Sequence, residues 1–305
     1  MASALPAGLT VFERGWLSSN NVLLQDADSA VLVDSGYCTH AAQTLALLDA
    51  ALGTRPLDVL LNTHLHSDHC GGNAALQVRY PALKTHIPPG HAAEVRTWDA
   101  DALTYRATGQ QCPRFRMDDV LLPGTELRCG GLIWQVHAAP GHDPHSVILF
   151  EPQNRTLISA DALWEKGFGV VFPELDGDAA FDEVAATLDL VERLQPATVI
   201  PGHGPVFTAA QQAIDYARQR LAGFVQNPAK HLQYAAKVLI KFKLLEARRL
   251  PLEALMDWVS STPYFSTTLR RHFGDANLSD ATTALLHDLV RSGAARLQDS
   301  VVFDA

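Results

Sequence analysis

Four side chains that commonly bind transition metals lie within six residues of one another. They are His64, His66, Asp68 and His69, in the pattern H-x-H-x-D-H followed by two glycines. Imidazole nitrogen and carboxylate oxygen suit zinc, with bonds of about 2.0–2.2 Å. The segment directly follows an apolar run, Asp58 to Asn62, that we predict to be a buried strand. The spacing therefore predicts a metal-binding loop at the end of a strand.

Three further ligand-type residues occur downstream, each in a turn of small residues. His142 lies in A-P-G-H-D, Asp161 ends I-S-A-D, and His203 lies in I-P-G-H-G. Each alone is typical of an ordinary turn, but three of them after the first cluster favour one shared site. Two metals about 3.5–4 Å apart can acidify a shared water, which then attacks a carbonyl or phosphoryl centre. The pattern predicts a metal-dependent hydrolase that needs no serine or cysteine nucleophile.

The elements that must position these residues form an alternating pattern over the first two thirds of the chain. Apolar runs predict strands, and periodic segments predict helices. The helices end at helix-stop signals, Gly53 and Pro196. Such a mixture predicts sheets covered by helices, an α/β layered architecture. Predicted strands are 21–24, 30–33, 133–137, 146–150, 156–159 and 198–200, and predicted helices are 41–52 and 182–194.

The hydrophobic pattern changes after Phe207: alternating strand-like and helical segments give way to mainly helical periodicity. Helices are expected at 209–225, 231–249, 252–260 and 280–291, with a two-stranded ribbon within 293–303. The last three of these helices followed by a ribbon are the outline of a winged-helix module. We therefore predict a catalytic domain at residues 1–228 and a winged-helix-like domain at residues 229–305.

With these residues in place, the sequence resembles the metallo-β-lactamase superfamily over most of residues 10–207. The five ordered motifs of that family are matched by Asp34 in L-V-D-S-G, the His64 to His69 segment, His142, Asp161 and His203. The resemblance implies an α/β fold, the αββα metallo-β-lactamase sandwich with its metal site at one edge. To it we add the small helical, winged-helix-like C-terminal domain.

The resemblance also implies roles for the residues. Asp161 would bridge two metals, and Asp34 would be a buried partner that holds the ligand loop in place, as hydrogen-bonded partners of ligands do. We predict catalytic roles for Asp68, which would orient the nucleophile or relay its proton, and for Asp161. By resemblance, the first metal is bound by His64, His66 and His142, and the second by Asp68, His69 and His203.

Other residues near these motifs are interpreted more simply. His145 is expected to make a structural hydrogen bond beside the ligands, and Cys70 to be a small buried thiol. Trp164 and Phe172, which follow Asp161, could form an apolar substrate wall or pack beneath the loop. The cofactor is expected to be two zinc ions, although the same ligands accept manganese or iron.

Differences between this sequence and particular members of the family narrow the choice of reaction. Members that degrade antibiotics are usually exported and lack an aspartate at the place of Asp161, which argues against β-lactam hydrolysis. The likeness is strongest to glyoxalase II-like hydrolases, although Leu65 stands where glyoxalase II has a further histidine. The first hypothesis is therefore a hydrolase of an ester-type small molecule, a thioester or a lactone. The alternatives are a phosphodiesterase or ribonuclease of the lactamase-like protein 2 type and a mononuclear iron sulfur dioxygenase.

Composition bounds the partners and the compartment. The 305 residues are 47% hydrophobic and 19% charged, with a net charge of −9, which gives no support for a broad nucleic-acid footprint. No apolar run approaches the roughly 20 residues needed to span a bilayer. The N-terminus lacks a secretory pattern and the four cysteines are scattered, so we expect a cytoplasmic location. We expect a small-molecule substrate and no membrane; nucleic acid is left open but not favoured, and a homodimer is compatible with a winged helix.

Overall fold

The first β-sheet contains the strand that precedes the predicted metal-binding loop of His64 to His69. The computed structural model describes residues 5–269 and 278–305. The sheet has six strands: β1 (Leu9–Phe12), β2 (Asn21–Gln25), β3 (Ala30–Val33), β4 (Val59–Leu61), β5 (Lys84–Ile87) and β6 (Asp119–Val120). They are neighbours in chain order, antiparallel from β1 to β3 and parallel from β3 to β6. Because β3 and β4 are parallel, the turns that follow them lie side by side.

The second β-sheet supplies the other turns. Its strands are β7 (Glu126–Cys129), β8 (Leu132–Ala138), β9 (Val147–Glu151), β10 (Thr156–Ala160) and β11 (Thr198–Pro201). The spatial order is β11-β10-β9-β8-β7, with one parallel pair, β10 and β11. The parallel pair again places the ends of two strands next to each other.

The two sheets pack face to face over a common apolar core. Val22 and Leu24 of the first sheet share this core with Trp134 and Val136 of the second. Leu23, whose side chain points to the opposite face of β2, packs in a separate cluster with residues of the covering helices. The apolar residues of β2 are continuous because this strand is covered on both faces. The predicted α/β layering of sheets and helices is confirmed.

Seven helices accompany these sheets in the described part of the chain up to residue 226. They are α1 (Ala41–Leu52), α2 (Ser67–Cys70), α3 (Asn73–Arg79), α4 (Ala92–Thr97), α5 (Phe172–Asp176), α6 (Phe181–Leu194) and α7 (Ala210–Gln226). As predicted, α1 ends at Gly53, whose φ of +60° favours glycine. Short 3-10 turns lie at Cys38–His40 and Pro89–His91.

A separate unit follows in the C-terminal third. It has α8 (Pro228–Ala247), β12 (Arg249–Pro251), α9 (Leu252–Ser261), a π-helical turn (Phe265–Leu269), α10 (Leu278–Arg291), β13 (Ala295–Gln298) and β14 (Val301–Asp304). The three strands form an antiparallel sheet in the order β12-β14-β13. Leu232, Ala236 and Leu239 bury one face of α8 at helical spacing. The predicted helices and the terminal ribbon are all present, within three residues of their expected bounds.

The chain separates into two compact units, and one short segment from the middle of the first unit's sequence belongs to the second unit. Thr104–Gln110 belongs to the unit of Ala222–Ala305, and the rest of the chain up to Leu221 belongs to the first unit. Within the second unit, the backbone N–H of Tyr264 donates to the carbonyl of Ala107. The predicted domain boundary at residue 228 stays a prediction. Among the described residues, no helix is both long and apolar enough to cross a membrane.

Candidate metal centre

The ligand loop begins where β4 ends and is fixed by an aspartate from the neighbouring strand. Asp34 directly follows β3 and has the left-handed backbone conformation, with φ of +57°. Its Oδ1 accepts the backbone N–H of Thr63 at 2.9 Å, and its Oδ2 accepts the Thr63 hydroxyl at 2.7 Å. The same Oδ2 lies 2.7 Å from Nδ1 of His69. One buried carboxylate therefore contacts residues at both ends of the loop.

All seven predicted ligand residues come together, in two groups. Within each group, one potential ligand atom per residue lies within 4.8 Å of the others. His142, Asp161 and His203 reach the groups from the turns after β8, β10 and β11, so the ligands come from both sheets. The first group is His64, His66 and His142, and the second is Asp68, His69, Asp161 and His203.

Asp161 faces both groups with different oxygens. Its Oδ1 lies 3.4 Å from Nε2 of His69 and 3.8 Å from Nε2 of His203, both in the second group. Its Oδ2 lies 3.4 Å from Nε2 of His142 in the first group. A carboxylate with one oxygen toward each group is the arrangement that a bridging ligand requires.

Hydrogen bonds turn one ring nitrogen of His142 and of His69 toward its group. Nδ1 of His142 donates to the carbonyl of Val170, which turns Nε2 toward the first group, where it lies 2.8 Å from Nδ1 of His66. Nδ1 of His69 in the same way points to Asp34, which leaves Nε2 directed at the second group. Among the described residues, the buried Nε2 atoms of His64 and His69 have no hydrogen-bond partner. Buried polar atoms are rarely left unsatisfied, so the donor set fits a divalent metal ion.

The pKa values of His64 and His66 in the first group and of His69 in the second shift in opposite directions. Burial lowers the pKa of His64 well below its usual value, and burial together with the nearby His142 lowers the pKa of His66 to about 4. Burial also opposes the charged form of His69, but the carboxylates of Asp161 and Asp34 outweigh burial and raise its pKa well above the usual value. These directions follow from which group contains the carboxylates.

The two carboxylates of the second group are stabilised in their ionised form. Burial would raise the pKa of Asp161, but the imidazoles of His69 and His203 outweigh burial and lower it well below the usual range. Burial acts in the same way on Asp68, where the hydrogen bond with His203 at 3.1 Å prevails and lowers the pKa. Both carboxylates are therefore available as anionic ligands.

Aromatic rings flank both groups. Trp16, which is 56% exposed, stacks on the ring of His203 with centroids 5.4 Å apart. Trp164 meets the same His203 ring edge-on at 5.5 Å, and its indole N–H donates to Oδ1 of Asp161 at 3.1 Å. Phe172 lies edge-on to His66 at 5.0 Å. Trp164 and Phe172 thus touch ligand residues, and Trp16 is a neighbour that sequence reasoning missed.

Asn20 is a second missed residue, and it holds the turn that carries His203. Its side-chain amide donates to the carbonyls of Pro201 and Gly204 at 2.9 and 2.8 Å. Its backbone N–H donates to Gly202 at 2.6 Å. A signal was present in the sequence, because two adjacent asparagines, Asn20 and Asn21, stand where the apolar strand β2 begins and need hydrogen-bond partners when buried.

His145 and Cys70 lie beside the ligands and outside both groups. The backbone N–H of His145 donates to Asp143 at 2.8 Å, and its ring meets that of His91 at 4.6 Å. Asp143 in turn lies 3.9 Å from Nε2 of His66. The structural hydrogen bond beside the ligands that is expected of His145 stays a prediction. The thiol of Cys70 is buried, as expected, and donates to the carbonyl of Leu65 at 3.4 Å.

Comparison with known proteins identifies the family. The model of the metallo-beta-lactamase superfamily matches residues 14–203, more than half of the chain. The chain therefore belongs to the metallo-β-lactamase superfamily. A metallo-beta-lactamase family protein from Thermus thermophilus shares the fold with a TM-score of 0.59 and 20% identity, over 99% of this chain and 100% of its own.

Three relatives carry more specific names. A hydroxyacylglutathione hydrolase of Anaeromyxobacter dehalogenans is 35% identical over 52% of each chain, so this chain spans about half of its length. A beta-lactamase-like protein 2 homolog of Drosophila melanogaster is 26% identical over 74% of each chain. An acyl-coenzyme A thioesterase, MBLAC2 of Gallus gallus, is 27% identical over 67% of this chain and 81% of its own. Similarity to the second and third relatives extends well beyond half of the chain.

Proposed function

We propose that this protein is a binuclear metal-dependent hydrolase that acts on an ester-type substrate, with a thioester or a lactone favoured. The observation that carries the proposal is the pair of ligand groups joined by Asp161, which presents one oxygen to each. A site built for a single ion would need no carboxylate between two groups. Zinc is the proposed metal because the donors are imidazole nitrogens and carboxylate oxygens.

Each ion would have its own ligands. His64, His66 and His142 would hold the first ion, and Asp68, His69 and His203 the second, with Asp161 shared. Divalent ions held there would polarise the substrate carbonyl and acidify water. Asp34 keeps His69 in the orientation that presents Nε2, and Val170 does the same for His142.

Asp68 is the residue we propose for proton transfer. Its side chain is 14% exposed, more than that of any other residue of its group. Its Oδ2 lies 3.1 Å from Nε2 of His203, which places the carboxylate at the edge of the group. A carboxylate in this position can orient the attacking water and accept its proton.

The thioester class is supported by the names of two relatives. One is a hydrolase of hydroxyacylglutathione and the other a thioesterase of acyl-coenzyme A, and both names describe cleavage of a thioester. The aromatic rings of Trp16 and Phe172 beside the ligand groups suit an apolar acyl group. We therefore propose an acyl thioester as the first substrate to test.

We propose a winged helix for the C-terminal unit, because its order is helix, strand, helix, helix, strand and strand. The ribonuclease alternative has less support from this unit. Basic residues of α8 lie against carboxylates: Lys237 is 3.6 Å from Asp288, and Lys241 is 2.6 Å from Asp304. Lysines neutralised in this way contribute little to binding phosphates. The cytoplasmic location expected from the sequence stays a prediction.

The experiment that tests the proposal combines metal analysis with hydrolysis. We expect two divalent ions per chain by mass spectrometry, and cleavage of an acylglutathione, an acyl-coenzyme A or a lactone. Chelation should abolish the activity and zinc should restore it. His66→Gln should lower activity, whereas the control His86→Gln, which changes a half-buried histidine outside both groups, should not.

The alternatives give different results in the same assays. One iron per chain with oxygen consumption would favour the dioxygenase. Cleavage of bis-(p-nitrophenyl) phosphate, with RNA binding that weakens steeply as salt rises, would favour the nuclease. Hydrolysis that survives complete metal removal would contradict a metallo-hydrolase of either kind.

A further inference from the structure

Trp164 contacts the shared carboxylate at one particular oxygen. Its indole Nε1–H donates to Oδ1 of Asp161 at 3.1 Å. Oδ1 is the oxygen that faces His69 and His203, whereas Oδ2 faces His142. The hydrogen bond therefore acts on the side of the carboxylate that belongs to the second group.

The indole is itself held in place by its loop. The backbone N–H of Trp164 donates to the carbonyl of Gly167 at 2.7 Å, which closes a tight turn. Just before it, the hydroxyl of Ser159 donates to the carbonyl of Leu163 at 2.6 Å. The ring packs edge-on against Trp16 at 5.3 Å as well as against His203. A donor held by a backbone turn and by two neighbouring rings can hold the plane of a carboxylate.

We propose that Trp164 is a positioning residue for the metal centre. Its N–H fixes the rotation of the Asp161 carboxylate so that one oxygen serves each group, and it sets the affinity of the second group for its ion. A hydrogen bond to a buried carboxylate is charge-assisted and therefore stronger than one between neutral groups. The inference rests on the proposed binuclear function.

Mutation can separate the effect of the Trp164 hydrogen bond from the effect of the packing of its ring. Trp164→Phe keeps an aromatic ring against Trp16 and His203 and removes the donor to Asp161. Trp16→Phe is the matched control, because Trp16 stacks on the same His203 ring. Among the described residues, Trp16 makes no hydrogen bond to Asp161.

The test is a titration of the metal-free full chain with Co²⁺, followed by visible absorption and by competition with a chelator. The wild type and Trp16→Phe should bind two equivalents with the same affinities. Trp164→Phe should bind its first equivalent normally and its second about 10–100-fold more weakly, the usual loss when a partner of a ligand is removed. Identical affinities for both equivalents in Trp164→Phe and the wild type would overturn the inference.

Two further results complete the design. If Trp164→Phe does not fold, replacing the indole by the nearly isosteric benzothiophene removes only the N–H, and the same weakening of the second equivalent is expected. Failure of the proposed function gives a different result, since the wild type itself would then bind fewer than two ions. Weakening of both equivalents to the same extent would show general loosening and would also overturn the inference.

Discussion

The two ligand groups differ in charge before any ion arrives. The first contains three imidazoles, and the pKa values of His64 and His66 are lowered. The second contains two carboxylates, and the pKa of His69 is raised by Asp161 and Asp34. The first group is thus kept ready to coordinate, whereas the second must release a proton before His69 can bind a cation.

The two groups also differ in what holds them. A backbone carbonyl, that of Val170, orients His142 in the first group. Side chains orient the second group: Asp34 holds His69, and Trp164 holds Asp161. A backbone support survives most substitutions and a side-chain support does not. The second group should therefore be the more sensitive to mutation, and three predictions test this comparison.

The largest effect is expected from Asp161→Asn, because Asp161 faces both groups. Asn keeps the size of the side chain but replaces one carboxylate oxygen by an NH2 group that cannot coordinate, and it removes the negative charge. We expect kcat to fall by about 10³-fold and the metal content to fall to one ion, since the shared charge is lost. Mass spectrometry and steady-state kinetics on the same preparation measure both. Two ions and full activity in the variant would show that Asp161 is not shared.

A second effect concerns the pH dependence of the metal-free protein. The pKa of His66 is about 4 when folded, against about 6.5 in the unfolded chain, so the unfolded state binds more protons between these values. Its contribution to stability is present above pH 6.5 and is lost as the pH falls toward 4, up to about 3 kcal/mol. The raised pKa of His69 acts oppositely, because its contribution is present below pH 6.5 and is lost as the pH rises through the folded value.

Urea unfolding of the metal-free protein at pH 7 and pH 4.5 measures this effect. His66→Gln should unfold with a smaller difference in free energy between the two pH values than the wild type. An unchanged difference would mean that His66 does not carry a lowered pKa in solution, and the contrast between the groups would lose this support.

The smallest effect is expected from a matched pair of glycines, one beside each group. A Cβ at Gly202 would overlap Oδ1 of Asp161 and lie 2.9 Å from Cε1 of His69, whereas a Cβ at Gly169 would overlap the ring of His142. Gly202→Ala should weaken binding of one ion and Gly169→Ala that of the other, each about tenfold. Zinc titrations of the two metal-free variants check this. Equal loss of both ions in both variants would mean that the groups act as one.

The sequence was sufficient to expect that the seven candidate ligand residues come together, because their motifs follow apolar strands. His64 and Asp34 follow parallel neighbours β4 and β3, and Asp161 and His203 follow the parallel pair β10 and β11. Ends of parallel neighbours meet at one edge of a sheet, which explains why these residues converge. Short edge strands were missed, because β6 has two residues and shows no periodicity.

The supports of the ligands were harder to predict, for physical reasons. The carbonyl of Val170 carries no sequence signature, since every residue has one. Trp16 and His203 stack although they lie near opposite ends of the first unit's sequence, and nothing local to either residue indicates the other. Thr104–Gln110 belongs to the C-terminal unit, and its irregular sequence gave no hint of this. Contacts of this kind depend on tertiary packing alone.

The ligands come from turns of both sheets, and this has a consequence for folding. A cation coordinated by His64 from one sheet and His142 from the other would cross-link the two layers and close a long loop of chain, much as a disulfide does. Unlike a disulfide, such a cross-link forms only when the metal ion is available. The free energy of unfolding should then depend on the concentration of free zinc. It should rise by roughly 1.4 kcal/mol for each tenfold increase in that concentration above the dissociation constant.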